Sequence, residues 1–154
     1  MTDIDIELDH IFLEAQAQRW TCIERFLFSY FCFRENYLTS KGKPDWESAR
    51  HNCMRSSRVT TIENGVLEPF VPHSVIIGEI KRHCRDGSLT RQALKRILNQ
   101  LLDYALIAPQ DKAALKAARL NEAMPTDWYH SASRPVFQRL DTVNITLVPS
   151  RETR

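Results

Sequence analysis

The stretch Trp20 to Phe33, WTCIERFLFSYFCF, most restricts the fold, because as a helix it is apolar on almost every side. At 3.6 residues per turn, Trp20, Ile23, Phe26, Leu27, Tyr30, Phe31 and Phe33 leave only a narrow polar stripe of Thr21, Arg25 and Ser29. Such a helix must be covered by other elements, so the pattern predicts a core helix over 13–38. Its apolar run is too short to cross a bilayer, which takes about 20 residues. The chain has 154 residues, 43% hydrophobic and 26% charged, which suits one autonomous domain with its own core.

The remaining periodicities predict a mainly helical α+β domain with a small antiparallel sheet. Ile4, Ile6 and Leu8 alternate with Asp3, Asp5, Glu7 and Asp9, the period of a strand with one solvated face, over 1–10. Pro44 is placed to open a helix reaching about Met54. Asn64-Gly65 between two β-rich runs predicts a hairpin over 57–71. Helices are expected from Val75 to about Arg85 and from Leu89 to about Ala105, then an Ala-rich helix over 109–124 started by Pro109. Alternation predicts a last strand over 142–148, pairing with the first, and a frayed tail over 149–154.

The net charge of +2 is unevenly spread. Residues 1–15 carry five acids and no Lys or Arg, whereas residues 76–100 carry six Lys/Arg against two acids. The acidic N-terminus is not a secretory signal, which needs a cationic and then an apolar run. Cys22, Cys32, Cys53 and Cys84 form no C-x-x-C pair and read as reduced thiols of a cytoplasmic protein.

The segment 74–105 resembles a helix-turn-helix: a short helix, a turn containing Gly87, then a longer basic helix. That motif asks for apolar residues between its helices, here Ile80, Leu94 and Ile97, and polar side chains on the outer face of the second. Thr90, Arg91, Gln92, Lys95, Arg96 and Asn99 supply them. Arg pairs with guanine, Gln or Asn with adenine, and Lys with phosphate, so duplex DNA is the expected partner. The bland reading is a helical hairpin with a solvated basic face.

Other constellations rank lower. Lys41, Lys43, Arg50, Arg55 and Arg58, beside Trp46, form a secondary basic surface suited to phosphate. Asp3, Asp5, Glu7 and Asp9, with the aromatic loop at Trp128 and Tyr129, suggest a protein interface or a homodimer contact. The pairs His51-x-Cys53 and His83-Cys84 have the wrong spacing for zinc, so no metal site is expected. Gly42, Gly65, Gly78 and Gly87 make no Gly-rich phosphate loop, and no catalytic signature stands out. The expected function is therefore a non-enzymatic, DNA-binding regulator without cofactor. The competing reading is a protein-binding inhibitor or adaptor of mobile-element or phage type.

Overall fold

Seven α-helices and one four-stranded mixed sheet account for most of residues 1–150, the residues that the computed structural model describes. The class is α+β, as the periodicities predict. Two compact units share the chain: Met1–Trp46 with His73–Leu102, and Glu47–Pro72 with the segment from Asp103 onward. Each is discontinuous in sequence.

In the first unit, the acidic segment is not a strand but the start of helix α1, Asp3–Gln16. The Asp5 carboxylate accepts hydrogen bonds from the Thr2 amide (2.9 Å) and the Thr2 hydroxyl (2.8 Å), while that hydroxyl accepts from the Asp5 amide (3.2 Å). This capping box satisfies N-terminal amides, and acids in the first turn suit the helix dipole. Leu8, Ile11 and Ala15 are buried at helical spacing. The paired terminal strands expected from alternation therefore do not form.

The expected core helix over 13–38 is two helices. Residues 17–19 separate α1 from α2, Trp20–Glu35, with Gln18 at φ 57. Neither Gly nor Pro marks this break. Helix α2 does supply the core, through Ile23, Leu27, Tyr30 and Phe31. Asn36, at φ 61, ends it. An antiparallel bridge from Leu38 to Pro44 then closes a tight loop with Gly42 at φ 77.

Helices α4, His73–Arg85, and α5, Arg91–Leu101, complete this unit. The Gly87 amide donates to the Cys84 carbonyl and the Ser88 amide to the His83 carbonyl, with Gly87 at φ 69. This is a Schellman ending, whose left-handed residue glycine adopts most cheaply. The Thr90 hydroxyl caps α5 by accepting from the Ala93 amide at 3.0 Å. Ile76, Ile80, Leu94 and Leu98 are fully buried, each worth roughly 1.5–3 kcal/mol of burial. Helix α5 stops at Leu101, short of the predicted Ala105.

The second unit takes in most of helix α3, Trp46–Asn52, and all of the sheet. Strands β1 (Arg55–Ser56), β2 (Val66–Pro69), β3 (Tyr104–Ile107) and β4 (Leu147–Val148) lie in the order β2-β3-β1-β4. Strand β3 pairs parallel to β1 and antiparallel to β2, with Val66 opposite Ile107 and Pro69 opposite Tyr104. The Asn64-Gly65 hairpin is absent: Ile62–Asn64 is a 3₁₀ turn, and β2 pairs with a distant strand. Gly65 has φ −76, so it serves no left-handed turn. A Cβ there would lie 2.5 Å from Leu106 Cγ, so glycine lets the backbone pass close to the central strand.

Pro109 opens helix α6, Pro109–Ala117, which ends well before residue 124, with Arg119 at φ 60. A 3₁₀ helix, Thr126–His130, occupies the predicted loop. Helix α7, Gln138–Thr142, and the short β4 replace the strand expected over 142–148. Phe70, Ala105, Ile107, Leu115, Leu120, Leu140 and Ile145 form this unit's core. Of the tail expected over 149–154, residues 151–154 lie outside the described residues. Ser150 is tied down, its hydroxyl donating to the His51 carbonyl at 2.6 Å.

Candidate nucleic-acid interface

Helix α5 is strongly two-faced. Ala93, Leu94, Ile97, Leu98 and Leu101 are buried, while Arg91, Gln92, Lys95, Arg96, Asn99 and Gln100 are exposed. The period of 3.6 makes Gln92, Lys95, Arg96, Asn99 and Gln100 one continuous stripe. They share one open stretch of surface. None of the 11 residues of α5 is acidic.

The six residues predicted for this face do different jobs. Thr90 is exposed, but its hydroxyl is the cap of α5. Asn99 accepts a 3.0 Å hydrogen bond at Oδ1 from the buried Tyr30 hydroxyl, which leaves its amide nitrogen to donate outward. Burial raises the Tyr30 phenol above its ordinary pKa, so it remains a donor. Arg91 Nε donates to Asp9 Oδ1 of α1 at 2.7 Å, and its guanidinium lies 4.6 Å from the Phe12 ring centre. Gln92, Lys95 and Arg96 project from the middle of the stripe. Gln100 also belongs to it and is missing from the residues expected from the sequence, although its spacing of four from Arg96 is a signal that could have found it.

Two of the acids of α1, Asp9 and Asp5, act on this helix. Asp9 pairs with Arg91, and Asp5 is held below its ordinary pKa by the Thr2 backbone and hydroxyl bonds, with a smaller contribution from Lys95. Glu7 lies 3.5 Å from His10 on its own helix. Asp3 is exposed in the first turn.

The secondary basic surface is not one surface. Lys41 and Lys43 are exposed on the loop of the first unit. Trp46 is 55% exposed rather than core, with one face stacked on Phe28 at a centroid distance of 3.5 Å. Arg50, Arg55 and Arg58 belong to the second unit and are spent on internal bonds. Arg50 donates to the Ile62 carbonyl, Arg55 to the His51 carbonyl and Ser150, and Arg58 to the buried Asp111 at 2.9 Å. The aromatic loop is also mostly structural: Trp128 is buried and its indole donates to the Pro135 carbonyl at 3.0 Å. Tyr129 is exposed, its hydroxyl accepting from the Met124 amide.

Among the described residues, no group of three His, Cys, Asp or Glu side chains is arranged to hold a metal ion, and no helix is long and apolar enough to cross a membrane. The fold is α+β, and the exposed polar face of α5 carries no acidic residue of its own. No protein-family model, curated protein or solved structure matches the chain.

Proposed function

We propose that this chain is a small, non-enzymatic, DNA-binding regulator of the cytoplasm that lays the exposed face of α5 against duplex DNA. The observation carrying this reading is the stripe of Gln92, Lys95, Arg96, Asn99 and Gln100, which mixes cations with amides on a rigid helix and lacks any acid. Cations there meet phosphates, and the amides and Arg91 are the groups that read base edges. Helix α4 and the Gly87 turn support α5 in the order that a helix-turn-helix requires. Free, buried Cys32 and Cys53 accord with a reducing compartment.

Fluorescence anisotropy with a mixed pool of short duplexes, at low and near-physiological salt, tests the reading. Saturable binding that weakens steeply with salt, and that Lys95→Ala or Arg96→Ala diminishes, is the expected result. Absence of binding at low salt, or wild-type affinity in both variants, refutes it.

One observation favours protein capture as a second reading. Ile6 and Leu13 are 40% and 66% exposed on α1, among Asp3, Asp5 and His10. If a protein partner docks there, Ile6→Glu with Leu13→Glu should abolish its capture while leaving thermal unfolding unchanged.

A further inference from the structure

We infer that Asp9 and Phe12 are positioning residues for Arg91, holding its guanidinium ready for bidentate contact with one guanine; this rests on the reading of α5 as the DNA-binding helix. Arg91 is the first residue of α5, and the N-terminal residues of a recognition helix are the ones that reach base edges. Two groups from another helix hold it. Its Nε donates to Asp9 Oδ1 at 2.7 Å, and its plane rests over the Phe12 ring, 4.6 Å from the centre.

The pair is exposed, with side-chain accessibilities of 61% for Arg91 and 36% for Asp9. An exposed ion pair adds little to folding stability, so its effect is on the arginine itself. A free arginine surrenders much rotamer freedom on binding, whereas one already held surrenders less. With Nε committed to Asp9, the two terminal nitrogens keep parallel N–H bonds, the spacing that guanine O6 and N7 accept.

The carboxylate also offsets the charge of Arg91. A phosphate, which needs charge but not this geometry, is therefore attracted less. Specificity is a difference of affinities, and Asp9 enlarges it from both sides. A merely structural ion pair would move specific and non-specific binding together, and this arrangement moves them apart.

The test is repeated selection from a duplex library randomised over about 20 base pairs, two helical turns, with wild type, Arg91→Ala, Asp9→Asn and Phe12→Leu. Wild type should enrich a guanine at one position, and Arg91→Ala should lose it. Asp9→Asn should cut the preference for that guanine by about tenfold, with Phe12→Leu weaker in the same direction. Its affinity for unselected duplex should be unchanged or a few-fold tighter, and its thermal unfolding like that of wild type. The inference is overturned if Asp9→Asn keeps the guanine preference, or if both affinities fall in parallel. Enrichment independent of Arg91 overturns it while sparing the reading of α5. A wild type that binds no duplex even at low salt overturns both.

Discussion

Cys32 and Cys53 are buried, and burial pushes each thiol up to about 11. Cys22 and Cys84 are half-buried. A thiolate is the reactive form, so a thiol reagent should modify Cys22 and Cys84 in the native protein and reach all four cysteines only in denaturant. Peptide mapping after brief alkylation checks this. Gly65 is the second position where the physics is specific to one residue. Its Cβ would meet the Leu106 side chain at 2.5 to 2.8 Å, in a strand with no room to yield. Gly65→Ala should therefore cost about 1–3 kcal/mol in urea unfolding. An Asn-Gly pair has two uses, a left-handed turn or a close backbone approach, and the sequence signal does not distinguish them.

Element by element, the legible parts were those held by local bonds. The start of α6 at Pro109, the turn at Gly87 and the two faces of α5 follow from residues a few positions apart, whereas Thr90, expected on the polar face of α5, is its cap. The first residues of α1 satisfy both the strand and the helix period, and the capping box at Thr2 and Asp5 settles between them. The Asp5 carboxyl is depressed below its ordinary 3.8 by these bonds with Thr2. A depressed acid stabilises the fold above its ordinary pKa, and that contribution is lost as pH falls through the folded value. Asp5→Ala should thus be less stable than wild type near neutrality and converge with it well below 3.8, as paired thermal melts would show. In the second unit, fully buried Arg139 donates to Glu68 at 2.9 Å, to the Leu120 carbonyl at 2.8 Å and to the carbonyls of Pro69 and Phe70. Arg139→Ala strips partners from a buried carboxylate and several carbonyls. It should cost about 3–5 kcal/mol in urea unfolding, and a loss under 1 kcal/mol would contradict this account.

For the whole molecule, the modest net charge of +2 leaves little general attraction to DNA, so binding must come from local cations. With Lys95 and Arg96 each meeting a phosphate, the logarithm of the affinity should fall with that of salt at a slope of about −2, and alanine at either position should reduce it by about one. Anisotropy across a salt series measures this. A slope near zero would mean that the α5 face does not meet phosphate.

Sequence alone determined the helical character, the chief helix faces and the exposed residues of α5, because hydrogen bonds four residues apart and a period of 3.6 are local facts. Tertiary structure decided what depends on distant partners. Strand β3 exists because β1 and β2 flank it, and Trp128 is core because the Pro135 carbonyl and its neighbours enclose it. Arg50, Arg55 and Arg58 look like free cations in the chain, but the fold binds Arg50 and Arg55 to carbonyls and the half-exposed Arg58 to the buried Asp111. The same holds for Arg91, whose charge was evident from the sequence but whose carboxylate and ring partners lie about eighty positions away on α1.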